Sequence, residues 1–238
     1  MLMPIREITA SNFGIKSSFV SEKNATMQQA ESLLEHDFLT LLEWDSRVAQ
    51  YGTQPLSIDW VDIDGKARKY IPDVLVTYHV LATSRDPFLR ATVFEVKPIE
   101  VLRRDWKIFQ PKFRAAVAAL RPAGIRFKIV TEKHIRTPLL ENARFLLSYK
   151  TQRFSNASPY EQKMQLDIRR ALLSMGETTP KALLTRLTES DIRKVQYIPW
   201  IWWLMNVGII KANLTKRLTM ASAIWTIDTT KSIPENLT

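Results

Sequence analysis

Ile71-Pro72-Asp73-Val74-Leu75-Val76 and Ala91-Thr92-Val93-Phe94-Glu95-Val96-Lys97 decide how this chain is read. Both are short apolar runs rich in β-branched residues, the mark of strands in a sheet core. Each also carries an acid that such a run should not tolerate. An isolated ionised carboxylate in apolar surroundings is costly unless it is paired or coordinates a metal. Side chains alternate faces along a strand, so Glu95 and Lys97 project from one side while Phe94 and Val96 project from the other. The pattern sets an acceptor for a divalent cation beside a fixed positive charge, with Asp73 supplying a second carboxylate from a neighbouring strand. A hard cation such as Mg2+ takes one or two carboxylates and keeps positions for water and phosphate oxygens. Glu-x-Lys alone is a common solvated strand face, and its apolar setting gives it weight.

A third acid lies upstream. Residues 27–45 predict a helix about five turns long, because Leu34, Phe38, Leu41 and Leu42 recur at helical spacing with no Gly or Pro between them. Glu35 has Phe38, Leu39 and Leu42 at i+3, i+4 and i+7, which puts its carboxylate at the margin of the buried face. Glu31, one turn earlier, reads as a surface acid.

Around these residues the chain alternates strands and helices. Residues 1–25 read as an N-terminal arm. Residues 56–63 predict a strand, Asp64-Gly65 a hairpin turn, and a second strand starts near Ala67 and runs through Asp73 to His79, with Pro72 as an edge or bulge. The strand at 91–97 ends at Pro98. A helix over 102–120 contains Pro111 as an irregularity, 127–131 is a buried strand and 139–149 a helix. This order gives an α/β catalytic domain over 1–150, a mixed sheet flanked by helices. A polar linker at 151–159 leads to a domain over 151–238. There the pattern predicts helices at 160–175, from the Thr179-Pro180 cap, and at 189–206, followed by short apolar runs at 209–214 and 223–227. Three helices and a terminal hairpin spell a winged-helix-like module. The aromatic string Tyr197-Ile198-Pro199-Trp200-Ile201-Trp202-Trp203 reads as its core.

Composition narrows the chemistry. Across 238 residues, 34 Lys and Arg outnumber 24 Asp and Glu, for a formal charge of +10 and a pI near 9.8. A basic surface favours polyanions. From Lys150 onward 13 basic residues stand against 7 acidic, compared with 21 and 17 before it, so the helical part is the more basic. Arg193, Lys194, Lys211, Lys216 and Arg217 are its possible phosphate contacts. The absence of cysteine excludes disulfides, thiolate zinc sites and cysteine nucleophiles. Six glycines form no phosphate-cradling loop, which argues against a nucleotide-dependent enzyme. His36, His79 and His134 lack ligand spacing and read as structural or exposed. Residues 1–7 lack the apolar core of a signal peptide and charges interrupt every later apolar run, so a cytoplasmic protein without a membrane partner is expected.

The run Leu34-Glu35-His36-Asp37-Phe38-Leu39-Thr40-Leu41-Leu42-Glu43-Trp44, then Gln54-Pro55-Leu56, Asp73-Val74-Leu75-Val76 and Glu95-Val96-Lys97-Pro98, resembles TnsA, the endonuclease subunit of heteromeric bacterial transposases. The resemblance covers about residues 28–148 and, more loosely, the helical part. It implies a restriction-endonuclease-like core followed by a winged-helix-like domain in a bacterial cytoplasmic protein. It places Glu35, Asp73 and Lys97 at the family's catalytic positions, and Glu95 where some members carry Gln. It also favours Gln54 near the site, although an ordinary loop amide explains that residue equally well. By this resemblance Asp73, Glu95 and the Val96 carbonyl hold Mg2+, with Mn2+ as a substitute, and Glu35 helps hold a second ion. The implied activity is nicking of DNA at transposon ends, on the strand that a TnsB-like transposase does not join, under a TnsC-like AAA+ ATPase. Two other readings of the same core are a stand-alone restriction or repair nuclease and a non-catalytic DNA-binding adaptor.

Overall fold

The computed structural model describes residues 17–86, 88–150 and 156–226. Two compact units make up the chain, Met1–Thr137 and Pro138–Thr238.

The first unit opens with an antiparallel hairpin, β1 (Ser17–Ser21) and β2 (Thr26–Ala30), followed by helix α1 (Leu33–Trp44). Two expectations change here. Residues 17–25 belong to this hairpin rather than to an arm, while 1–16 lie outside the described residues. The helix starts at Leu33 rather than near Met27, because Ser32 caps it by accepting the Glu35 N–H at 3.1 Å. The hairpin has little apolar periodicity because polar residues bury in it: Ser21 and Gln28 are each almost wholly covered and bond to the Glu43 side chain and the Thr53 N–H.

Strand β3 (Val48–Thr53) follows, then a second hairpin, β4 (Ile58–Val61) and β5 (Ala67–Tyr70), turning where Asp64-Gly65 predicts. The single strand expected over 67–79 is two: β5 stays with β4, and after Pro72 the chain starts β6 (Val74–Tyr78) in another sheet. Helix α2 (Val80–Arg85) leads to β7 (Thr92–Val96). The helix expected over 102–120 starts at Ile99 and breaks at Asp105 into α3 (Ile99–Arg104) and α4 (Trp106–Leu120), with Pro111 inside the latter. Strand β8 (Arg126–Val130) and a short helix α5 (Glu132–Ile135) complete the unit.

The central sheet runs β3-β6-β7-β8, antiparallel except for the parallel β7–β8 pair. Its register sorts the side chains. Leu75, Val93 and Phe127 lie in one row, and with Tyr70 and Ile58 they pack against Phe113, Ala116 and Leu120 of α4. Those three recur at helical spacing, so α4 forms because one stripe buries on the sheet. Opposite parity sends Val74, Phe94 and Val96 to the other face, where Phe38 of α1 meets Phe94 with ring centroids 5.0 Å apart.

The second unit contains α6 (Pro138–Leu147), α7 (Pro159–Met175), α8 (Pro180–Leu187) and α9 (Asp191–Asn206), then the antiparallel pair β9 (Ile210–Ala212) and β10 (Ile224–Thr226). Thr178, between α7 and α8, bridges Ile224. Ser158 and Glu161 form a capping box on α7, and Thr179 caps α8 by accepting the Ala182 N–H at 3.1 Å. The aromatic string is core: Trp200, Ile201, Trp202, Leu204 and Met205 are buried with Ile168, Leu172 and Leu183. Helix α6, which the sequence groups with the first domain, packs in this unit. Buried Asn142 ties it there, donating to the carbonyls of Leu214 and Lys216 and accepting the Leu218 N–H. Much of the expected linker, 151–155, lies outside the described residues. No described helix is long and apolar enough to cross a membrane.

Candidate active site

Odd-numbered residues of β6 and β7 share the α4 face of the sheet, and parity therefore brings Asp73, Glu95 and Lys97 to that face at the end of the two strands. Lys97 Nζ lies 3.4 Å from Glu95 Oε1 and 3.8 Å from Asp73 Oδ2. Asp73 Oδ2 also accepts the Val96 N–H at 2.7 Å, which fixes the carboxylate against the strand that carries the other two groups. Glu95 is the most enclosed, its side chain 2% exposed against 17% for Asp73 and 26% for Lys97. A buried acid thus sits at the floor of a site whose other members reach solvent.

Charge is not at rest in this arrangement. Burial pushes the Asp73 carboxyl well above the usual carboxylate range, and the adjacent Glu95 and nearby Glu35 push it further, against the pull of Lys97 and the Val96 N–H. For Lys97, burial alone would lower the affinity for its proton, but Asp73, Glu95 and Glu35 together outweigh this and hold the ammonium above its ordinary value. Three carboxylates and one cation sense each other here, a combination that a purely structural ion pair does not need.

Backbone chemistry adds a fourth group. Val74 pairs with Phe94, and continuing that antiparallel register by two residues sets Val96 opposite Pro72. Proline has no N–H to give the ladder. The Val96 N–H is taken by Asp73 instead, and its carbonyl, which points to the same strand edge as its N–H, faces a residue with no donor. The donors converging here are oxygens from two carboxylates and one carbonyl, the set that suits Mg2+ rather than a soft metal. Among the described residues no group of three or more His, Asp or Glu gathers as a metal cage.

Comparison with known proteins finds one family for this part of the chain. The family model described as the TnsA-like endonuclease N-terminal domain matches residues 45–132. Over those residues the chain is similar to that family. That domain is a nuclease domain of Tn7-like transposition, and the matched span holds Asp73, Glu95, Val96 and Lys97. No curated protein matches the chain.

Glu35 lies outside the TnsA-like span, at the N-terminus of α1. Its carboxylate accepts from the Ser32 hydroxyl at 2.9 Å and the Glu31 N–H at 2.8 Å, so both oxygens cap the helix that carries it. Burial raises its pKa despite these bonds, and Lys97 lowers it in turn, which places it within electrostatic reach of the site. Gln54 also borders the site. Its N–H bonds the Asp73 carbonyl at 2.9 Å, its side-chain nitrogen donates to Glu31, and its side-chain oxygen is buried with no hydrogen-bond partner. Its φ of +48° is a conformation that non-glycine residues seldom adopt.

Tyr70 and Lys112 are the two site residues that sequence reading misses. The Tyr70 hydroxyl donates to Glu95 Oε2 at 2.5 Å, and Lys112 Nζ lies 3.6 Å from Glu95 Oε1. Lys112 also sits over the rings of Tyr70 and Phe109, 4.6 and 4.7 Å from their centroids, and burial lowers its pKa. The one sequence signal that could have pointed to Lys112 is its place between Phe109 and Phe113, an aromatic pair at helical spacing.

The predicted contacts of the second unit remain surface residues of mixed character. Arg193, Lys216 and Arg217 are exposed, Lys211 is partly covered beside Gly208, and Lys194 pairs with Asp191 at 2.8 Å. Each histidine has a structural role or setting: His36 bonds the Ser17 hydroxyl, His134 closes the cap of α5, and His79 precedes α2.

Proposed function

We propose that this chain is a Mg2+-dependent DNA endonuclease that nicks transposon ends on the strand not joined by a TnsB-like transposase, under control of a TnsC-like AAA+ ATPase. The observation that carries the reading is the meeting of Asp73 and Glu95 on Lys97, each carboxylate within 4 Å of its ammonium group, beside a carbonyl with no ladder donor. Asp73, Glu95 and the Val96 carbonyl would hold the ion, and Glu35, which senses the charge of Lys97, would act on a second ion or its waters. Bound there, the cation supplies Lewis-acid polarisation of the scissile phosphate and a more acidic water.

The chain's own groups then perform three tasks. Lys97, held protonated by its acidic neighbours, places a compact positive charge where the phosphoryl oxygens gain negative charge or where the attacking water is oriented. Asp73 is fixed by the Val96 N–H, so its carboxylate is positioned without a rotamer search. Tyr70 and Lys112 hold Glu95 from below. The second unit supports a DNA contact of winged-helix type: three helices, the β9–β10 pair and the Thr178–Ile224 bridge have that order, and Arg193, Lys211, Lys216 and Arg217 would meet phosphates.

The deciding experiment reconstitutes excision with the partner proteins and reads each DNA strand separately. Asp73→Ala and Lys97→Ala should each abolish cleavage of the non-joined strand while joining of the other persists. Full cleavage of both strands by these variants would exclude catalysis by this chain.

A further inference from the structure

A cleft of about 530 Å³ lies between the β4–β5 hairpin and α4, and nothing in the catalytic assignment uses most of it. Trp60 and Ile108 give it apolar walls, and Lys69, Lys107 and Lys112 bring three ammonium groups to it. Arg68 also lines it, paired with Asp62 at 2.8 Å. Lys69 and Lys107 are exposed and make no ion pair among the described residues. Asp62, paired with Arg68, is the acid among the lining residues. Cations that outnumber it, set around an aromatic and aliphatic trough, match one strand of nucleic acid: phosphates take the ammonium groups, and a base or sugar takes the ring.

Position selects the occupant. Tyr70 and Lys112 line the cleft and also hold the two oxygens of Glu95, so whatever fills the cleft lies next to the reacting centre. An acidic protein segment has no reason to reach that floor. The strand being cut has to pass it.

We propose that this cleft holds the DNA segment flanking the scissile phosphate, with Lys69 and Lys107 on its phosphates and Trp60 against a base or sugar. Lys112 is then shared, one ammonium group between the strand and Glu95. This rests on the endonuclease reading, but its test reads binding and not cutting.

The test measures fluorescence anisotropy of a short labelled DNA duplex titrated with the full chain, with Ca2+ replacing Mg2+. The Lys69→Glu/Lys107→Glu double variant should bind about tenfold more weakly than the wild type, and its log-affinity against log-salt slope should fall by about two. Trp60→Ala should weaken binding by about fivefold at an unchanged salt slope, as loss of stacking does. Lys133→Glu, on an exposed position outside the cleft, should stay within about twofold of wild type. Circular-dichroism melts confirm that each variant is folded. Wild-type-like binding by the double variant, an equal loss from Lys133→Glu, or no binding by the wild type would each overturn the assignment. Failure of Asp73→Ala to stop cleavage bears on the endonuclease reading alone and leaves this measurement intact.

Discussion

Each face of the central sheet buries a glutamate beneath a tyrosine, and only one of the two pairs looks chemically active. On the α1 face, Glu43 Oε2 accepts from the hydroxyls of Tyr51 and Ser21, both at 2.8 Å, and Tyr51 is wholly covered. On the α4 face, Glu95 accepts from Tyr70, but a second carboxylate and two lysines crowd the same few ångströms. The Ser21 and Tyr51 hydroxyls on the first glutamate tie the hairpin, α1 and the sheet together. The second is left with opposed charges, an opening to solvent and a carbonyl facing proline. A buried acid is therefore no mark of function by itself. Like charges held together beside a cation, with access from outside, are the distinguishing feature.

The largest expected effect tests this contrast directly. Asp73→Ala should lower strand nicking by about 10³-fold or more without lowering the melting temperature. Glu43→Gln should do the reverse, destabilising the fold while the folded fraction nicks at nearly the wild-type rate. Next come the tyrosines. Tyr51→Phe should cost about 1 kcal/mol of stability, the net worth of a buried hydrogen bond, and leave the rate per folded molecule unchanged. Tyr70→Phe removes the same kind of bond but should slow nicking by about tenfold and weaken Mn2+ binding in a direct titration.

A pH measurement sharpens the comparison further. The folded chain holds protons on Asp73 and Glu35 that the unfolded chain has already lost, so in chelator its stability should fall as pH rises above the ordinary carboxylate values of 3.8 and 4.5. Asp73→Asn should flatten that slope and melt a few degrees higher at pH 7, and a steeper slope in the variant would refute the electrostatic account. The smallest effect belongs to Gln54. Glycine there relieves the positive φ and removes a buried oxygen without a partner, so Gln54→Gly should be neutral to about 1 kcal/mol stabilising by chemical denaturation, despite loss of the bond to Glu31.

How much of this was legible in the sequence follows from how local each signal is. The turn at Asp64-Gly65, the strands at 92–96 and 126–130 and the side shared by Glu95 and Lys97 depend on neighbours in sequence, and all could be read. Strand β3 was missed because Val-Ala-Gln-Tyr-Gly-Thr has weak alternation and becomes a strand by pairing with β6, far along the chain. The β1–β2 hairpin was missed for a similar reason, since its buried residues are polar and satisfied by distant partners. Tyr70 and Lys112 escaped because their roles exist only across elements: a hairpin strand and a helix meet on the acid of a third segment. The start of α1 is readable in principle, because Ser32 followed three residues later by Glu35 is a cap signal, set inside a stretch of good helix formers that runs from Met27 and masks it.

Pro72 leaves one consequence to draw. Its ring contributes to this region through a missing atom, since any other residue at that position would bring an amide hydrogen across to the Val96 carbonyl and extend the β6–β7 ladder over it. Strand pairing, which elsewhere stabilises the sheet, would then seal one mouth of the site. A single imino acid ends the zipper one rung early, and the vacant acceptor next to Asp73 is the result.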